Sequence, residues 1–327
     1  MEAQLVETAI LNIMNHQSLI ATKAARVCYA AKGDGVMEFG LRRAQGPDAG
    51  IFGARAAIIG GCAGTSNVLT GKMFGVPILG THAHSWVMSF PSEIEAFRHY
   101  AKTFPDACTF LVDTYDTLRS GVPTAIKVFQ EMKDAGIELK NYGIRLDSGD
   151  LAYLSKKARK MLDEAGFTDA KITASSDLDE YLIMSLKLQG AKINNWGVGT
   201  KLITSDDCPS FGGVYKLAAE SDENGNFIPK IKLSNNPSKV TNPGIKKVLR
   251  FYDKATGKVK ADLICLDDEV YSEDKKVKLF DHTAVWKKMV LHPGEYSIRE
   301  LLVPVFINGE CVYNSPCVTD IRAYCQK

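Results

Sequence analysis

Residues 142–198 read YGIRLDSGDLAYLSKKARKMLDEAGFTDAKITASSDLDEYLIMSLKLQGAKINNWGV, and this stretch decides the fold. Three short apolar runs, YGIRLD (142–147), KITASS (171–176) and INNWGV (193–198), alternate with two helical patterns, Leu151 to Ala165 and Leu178 to Gln189. Short apolar runs suit strands covered on both faces, and the longer amphipathic stretches suit the helices that cover them. Repeating strand–helix units of this length mean parallel strands joined by right-handed crossovers, hence a barrel or a doubly wound sheet.

The same grammar extends upstream. VPILGT (76–81) and CTFLVD (108–113) read as further strands, and Glu93 to Phe104 and Thr124 to Ala135 as further helices. Ser92 with Glu95 forms a capping-box pattern, and Asp177 with Glu180 resembles the same device. Residues 33–75 read as a glycine-rich loop region broken by short helical patterns such as ARAAIIGGCAG (54–64). The chain opens on an amphipathic helix with Leu5, Ala9, Ile13, Ile20 and Ala24 near one face. From about Ser205 the pattern changes: GGVYKLAAE, KIKLS, KVLRFYD, KVKADLICL and VKLFDH are short strand patterns separated by turns such as Glu223-Asn224-Gly225-Asn226. The expected organisation is an α/β barrel over residues 1–205, carrying the active-site loops, and a smaller, mainly antiparallel β region over 206–327.

Bulk properties narrow the function classes. A chain of 327 residues buries roughly three quarters of its unfolded surface, so it needs neither disulfides nor metal for stability. Hydrophobic content of 45%, charged content of 24% and a net charge of +2 describe an ordinary globular protein and give no electrostatic case for nucleic acid or membrane. The eight cysteines contain no C-x-x-C pair, which favours reduced thiols in a cytoplasmic protein. Cys311, Cys317 and Cys325 match none of the usual zinc spacings.

Ligands of such folds bind at the carboxyl ends of the strands, and four polar clusters fall there. Arg145-Leu146-Asp147-Ser148-Gly149-Asp150 closes one strand; two carboxylates beside an arginine suit a metal-bridged sugar phosphate, or else a plain Asp-capped helix with an ion pair. Gly197-Val198-Gly199-Thr200 follows another; small residues let backbone amides approach a phosphate, though a simple turn has the same composition. Gly80-Thr81-His82-Ala83-His84 offers a nucleophile, a general base or a metal ligand. Strand alternation would aim only one of its histidines into the site. Glu38 to Asp48 holds Phe39, Arg42 and Arg43, an aromatic and two guanidinium groups able to clamp a flat anion, or a solvated basic loop.

Taken together, several strings resemble nicotinate phosphoribosyltransferase: EFGLRRAQGPDAG (38–50), GTSNVLTGKMFGVPILGTHAHSWVMSF (64–90), LVDTYDTLRSGVP (111–123), GIRLDSGDL (143–151), GVGTKLIT (197–204) and NPSKVTNPGIKKVLRFYD (236–253). The resemblance covers nearly the whole chain. It implies the irregular α/β barrel of the type II phosphoribosyltransferases, and a reaction of nicotinate with phosphoribosyl pyrophosphate giving nicotinate mononucleotide and pyrophosphate. It further implies coupled ATP hydrolysis, Mg²⁺ with the phosphorylated substrates, a role in NAD salvage, and a homodimer. On the matching positions, His84 would be the phosphorylated histidine and Asp147 the carboxylate that orients the ribose hydroxyls. Phe39 would lie under the pyridine ring, Arg42 and Arg145 would hold nicotinate's carboxylate or the phosphates, and Ser66 would lie near the base. Ser176, Asp177, Gly199 and Thr200 would receive the 5′-phosphate.

Family members begin with an N-terminal segment to which nothing here corresponds, and usually continue past RAYCQK, so the chain reads as part of a longer protein. Two rivals stand beside this reading. One is a nicotinamide- or quinolinate-specific relative: Arg42-Arg43 disfavours nicotinamide, whose neutral amide would leave a guanidinium unused, and the two carboxylates of quinolinate would need further basic residues. The other is a non-catalytic binding fragment.

Overall fold

The computed structural model describes residues 2–236, 240–281 and 283–326. Positions 237–239 of the NPSKVTNPGIKKVLRFYD string and His282 of the VKLFDH pattern lie outside the described residues. The chain divides into two units, one running to Gly213 and resuming at Pro316, the other Val214–Ser315.

In the first unit, parallel strands β1 (Gly35–Glu38), β2 (Gly64–Thr65), β3 (Ala107–Leu111), β4 (Asn141–Leu146), β5 (Lys171–Ala174) and β6 (Asn195–Val198) form one sheet in the order β2-β1-β6-β5-β4-β3. The sheet curls into half a barrel, an α/β architecture of the type expected. Helices α1 (Glu2–Leu5), α2 (Glu7–Ala31), α3 (Pro47–Ile59), α4 (Val68–Phe74), α5 (His84–Met88), α6 (Glu93–Thr103), α7 (Val122–Asp134), α8 (Leu151–Glu164), α9 (Glu180–Leu188) and α10 (Thr200–Ile203) connect and cover it. After the second unit the chain returns as α11 (Val318–Cys325), which packs on α3, with Arg322 donating to the Gly61 carbonyl at 3.2 Å.

The core lies where the strands meet their helices. Phe97 and Phe110 stack at 4.5 Å, Phe110 stacks on Phe129 at 5.0 Å, and Tyr142 and Phe167 close the row edge-on. Full burial of each ring removes its apolar surface from water, which contributes on the order of 2–3 kcal/mol per ring.

Several expectations need correcting. Residues 33–75 supply two strands and a helix of 13 residues; β1 and β2 are too short to carry a period-2 signal. VPILGT forms only an isolated bridge between Thr65 and Ile78, because Pro77 has no amide to donate. At the N-terminus only the second half of the helical stripe is covered. Ile20 and Ala24 are buried, whereas Leu5 and Ile13 are 83% and 58% exposed. The helix after β5 begins at Glu180, and its cap is Asp179, which accepts from the Leu182 amide at 2.8 Å. Asp177 is left exposed in the preceding turn. Ser92 does cap α6, accepting from the Glu95 amide at 3.4 Å.

In the second unit, antiparallel β10 (Val259–Leu266), β9 (Lys246–Asp253) and β13 (Tyr296–Glu300) form one sheet in that order. Three two-stranded ribbons accompany it: β7 (Ala219–Ser221) with β8 (Phe227–Pro229), β11 (Val277–Asp281) with β12 (Ala284–Leu291), and β14 (Phe306–Ile307) with β15 (Glu310–Cys311). Leu249, Phe251, Leu279, Leu291 and Tyr296 form its own small core. The expected strand KIKLS is irregular in the structure.

Candidate active site

The carboxyl ends of β3 and β4 are neighbours, because these strands pair in register from Ala107↔Asn141 to Leu111↔Arg145. That pairing brings Asp113 and Asp147 together just past the strand ends. Asp113 Oδ2 accepts from the Asp147 amide at 2.9 Å and from the Ser148 hydroxyl at 2.6 Å. Its other oxygen, Oδ1, is buried and has no hydrogen-bond partner. His84, the first residue of α5, faces this pair: its Nε2 lies 3.9 Å from Asp113 Oδ1 and 3.7 Å from Asp147 Oδ2. Its other ring nitrogen, Nδ1, is 3.1 Å from the Thr114 hydroxyl, so the ring is held from both sides.

Arg145 crosses the middle of the site. Its Nε donates to Ser175 Oγ at 2.9 Å, Nη1 to Thr81 Oγ1 at 2.5 Å and to the His82 carbonyl at 3.3 Å, and Nη2 to Asp147 Oδ1 at 3.3 Å. The Ser175 hydroxyl donates to the same Asp147 oxygen. The guanidinium carbon also stands 5.9 Å from the centre of the Phe39 ring, within cation–π range. Three segments remote in sequence therefore converge on this arginine of β4, the Phe39 loop, the Thr81–His82 loop and the Ser175 loop, and Asp147 joins them from two residues further along.

His82 does not join them chemically. It is buried against Phe97 and Tyr100, and its Nε2 accepts from the Leu111 amide at 3.2 Å. Desolvation holds its pKa down at about 4, so the ring is neutral and anchors the end of β3. His84, by contrast, keeps a side chain 38% exposed. Asp150 likewise separates from Asp147: it caps α8 by accepting from the Tyr153 amide at 2.9 Å.

Among the residues singled out from the sequence, His84, Asp147, Arg145 and Phe39 form this direct cluster. Ser66 and Gly199 are tied to its edge through backbone. The Ser66 amide donates to the Glu38 carbonyl at 3.0 Å, and a Cβ on Gly199 would lie 3.2 Å from the Phe39 carbonyl. Arg42 is exposed in a 3₁₀ turn, Leu41–Arg43, with no hydrogen bond or ion pair to the described residues. Ser176 and Asp177 are exposed just beyond Ser175, and Ser176 has φ +99, a conformation that costs on the order of 1–3 kcal/mol for a non-glycine residue. Thr200 opens α10, and its side chain makes no hydrogen bond to the described residues of the cluster. Asp113, Thr114 and Ser175 carry much of the geometry without having been singled out. The usable signal for Asp113 was its place at the end of CTFLVD, matching that of Asp147 at the end of YGIRLD.

An arginine pinned between an aromatic ring and a carboxylate, beside a histidine that faces two aspartates, suits an anionic, phosphorylated ligand. Comparison with known proteins is consistent with that chemistry. Residues 35–210 match the Nicotinate phosphoribosyltransferase (NAPRTase) family, and residues 245–327 match the Nicotinate phosphoribosyltransferase C-terminal domain. The chain is 53% identical to the nicotinate phosphoribosyltransferase of Bacillus subtilis over 99% of its own length and 65% of that protein's. Against the human enzyme of that name the identity is 33%, over 81% of this chain and 58% of the human one. The crystal structure of human nicotinic acid phosphoribosyltransferase superposes with a TM-score of 0.79 at 27% identity, covering 99% of this chain and 70% of that one. A nicotinate-nucleotide pyrophosphorylase from Pyrococcus furiosus superposes with a TM-score of 0.71 at 25% identity, covering 98% of this chain and 72% of that one. The chain thus spans about two thirds or less of the length of these curated relatives. By its matched motifs and its fold, it belongs to the nicotinate phosphoribosyltransferase family.

Proposed function

We propose that the protein transfers a phosphoribosyl group from phosphoribosyl pyrophosphate to nicotinate, with coupled ATP hydrolysis, in NAD salvage. The observation that carries this reading is the convergence of Phe39, Arg145, Asp147, Asp113 and His84 at the carboxyl ends of parallel strands, in a chain of this family. The pyridine nitrogen would attack ribose C1 as the C1–oxygen bond to pyrophosphate breaks, so the nitrogen–carbon bond forms as pyrophosphate departs. Positive charge develops on the sugar, and the protein's work is positioning and charge stabilisation. In this reading the ring of nicotinate lies against Phe39, and Arg42, exposed and unpaired, is free to meet its carboxylate. Asp147 Oδ2 accepts from a ribose hydroxyl, while Gly199, Thr200, Ser176 and Asp177 line the end that takes the 5′-phosphate.

Mg²⁺ enters with the phosphorylated substrates. Among the described residues no group of three side chains could hold a metal alone. A Mg²⁺ bound through one or two carboxylates, phosphate and water needs less, and the unpartnered, buried Asp113 Oδ1 fits such a ligand set. Asp113 and Asp147 would hold the ion, which supplies positive charge to the departing pyrophosphate.

His84 belongs to the ATP half of the cycle. A ring nitrogen attacks the γ-phosphorus of ATP, the bond to ADP breaks, and water later releases phosphate from the histidine. The two aspartates facing the ring would stabilise the imidazolium charge that develops during attack. A homodimer and a cytoplasmic location complete the reading. The exposed apolar residues Leu5, Val6, Ile10, Ile13 and Met14 offer a surface for subunit contact, and all eight cysteines are free thiols. No helix among the described residues is long and apolar enough to cross a membrane.

The test is turnover by the full-length protein. Nicotinate, nicotinamide and quinolinate compete for phosphoribosyl pyrophosphate, and pyrophosphate and mononucleotide are measured. Nicotinate should be preferred, ATP should raise turnover, and acid-labile phosphate should appear on wild type but not on His84→Ala. Preferred turnover of nicotinamide, or binding without pyrophosphate release, would refute the assignment.

A further inference from the structure

Glu38 ends β1 directly before Phe39, and its carboxyl is fully buried. Both of its oxygens are engaged by neutral groups. Oε1 accepts from the Gly40 amide, and Oε2 pairs with the Thr65 hydroxyl at 2.6 Å. Thr65 Oγ1 in turn accepts from the Asn67 amide at 2.9 Å. Burial without a cationic partner pushes the Glu38 pKa up, with the Thr65 and Gly40 contacts opposing the shift.

What these bonds join is informative. Gly40 is the residue from which the Leu41–Arg43 turn starts, with the Arg43 amide donating back to the Gly40 carbonyl at 2.8 Å. Thr65 and Asn67 flank Ser66, whose own amide donates to the Glu38 carbonyl at 3.0 Å. A Cβ on Gly40 would lie 2.8 Å from Glu38 Oε1 and 2.4 Å from Ile203, so the carboxyl is wedged where the turn leaves the sheet. The same side chain therefore fixes the segment carrying Phe39 and Arg42 and the segment carrying Ser66.

We propose that Glu38 is a positioning residue for the pyridine-binding half of the site, joining the Phe39–Arg42 turn to the Ser66 loop through hydrogen bonds rather than through charge. The inference rests on the assignment of nicotinate as substrate. A merely structural buried carboxyl would affect stability and both substrates alike; a positioning residue affects one substrate more than the other. Glu38→Gln keeps the shape and both contacts: its amide oxygen accepts from Gly40, and its NH₂ donates to Thr65 Oγ1 with the direction of that bond reversed, the Thr65 hydroxyl proton turning away.

The experiment compares Glu38→Ala, Glu38→Gln and Thr65→Val in the full-length protein, below the melting temperature of each. Glu38→Ala should raise KM for nicotinate about tenfold, the effect of losing roughly one well-placed hydrogen bond, and leave KM for phosphoribosyl pyrophosphate within about twofold. Glu38→Gln should stay near wild type, and Thr65→Val should move in the same direction as Glu38→Ala. Thr65→Val carries the test if Glu38→Ala does not fold. Both constants rising together, neither moving, or Glu38→Gln failing as badly as Glu38→Ala would overturn the proposal. If wild type makes no nicotinate mononucleotide, the functional assignment fails instead. Hydrogen exchange at the Gly40 and Asn67 amides then decides the positioning role: exchange should quicken in Glu38→Ala and not in Glu38→Gln, and unchanged exchange in Glu38→Ala would sink it.

Discussion

The ring of Phe39 occupies the space that any side chain at Gly197 would need: a Cβ there would sit 2.6 Å from the ring edge. Strand β6 thus sets the position of the aromatic by having no side chain at this point. Gly197→Ala should push the ring away from Arg145 and destabilise the fold by about 1–3 kcal/mol, the usual cost of overpacking. Nicotinate KM should rise about tenfold as the stacking surface shifts, an effect of one aromatic contact's size. Urea melts and steady-state kinetics measure the two effects separately.

Asp113 offers a test of charge without a change of shape. Asn at this position keeps an oxygen for the Asp147 amide and the Ser148 hydroxyl but removes the negative charge facing His84. Asp113→Asn should leave stability within about 1 kcal/mol of wild type and lower ATP-stimulated turnover about a hundredfold. Loss of the acid-labile phosphate signal, followed by phosphate release, gives the readout.

His82 predicts a pH dependence of stability. Its folded pKa of about 4 lies below the ordinary value of 6.5, so the unfolded chain takes up a proton first as pH falls. The stabilisation is complete above about pH 6.5, declines as pH drops toward 4, and amounts to about 3 kcal/mol at most. His82→Gln, which can still accept from the Leu111 amide, should flatten this part of the profile. Melting temperatures of the two proteins between pH 4 and 7 would show parallel curves if the histidine contributes nothing.

A buried ion-pair network fastens α2 to α9. Lys23 lies 3.0 Å from Glu180 and 2.7 Å from Asp207, and its side chain is 2% exposed. Arg26 pairs with the same two carboxylates. Lys23→Met leaves Arg26, among the described residues, as the one cation on Glu180 and should cost about 1–3 kcal/mol, less than an unpaired buried carboxylate would, and the double variant Lys23→Met, Glu180→Leu should recover part of it. Equal denaturation midpoints for the single and double variants would refute the account in which Glu180 is left with too little counter-charge.

The parallel core was legible because β4, β5 and β6 alternate with helices long enough to show periodicity. Short β1 and β2 were not, since four residues and two residues carry no repeat. The N-terminal stripe is legible as one face of a helix, but apolar spacing reports amphipathicity, not what the face meets, so the exposure of its outer half is not legible. Site residues divide in a similar way. His84, Arg145 and Asp147 stand out within their own strings, whereas Asp113, Thr114 and Ser175 acquire their partners only from strand adjacency. Glu38 was visible as the start of a motif, but its bonds to Gly40 and Thr65 depend on where β2 lies beside β1.

The chain's return at Pro316 has a consequence for synthesis. Val214–Ser315 is contiguous and can close as soon as it has left the ribosome, whereas the α3 surface waits for Arg322 and the rest of α11. The α3 surface, though made early, is therefore covered by α11 only after the second unit has emerged, and stays exposed for about as long as that takes.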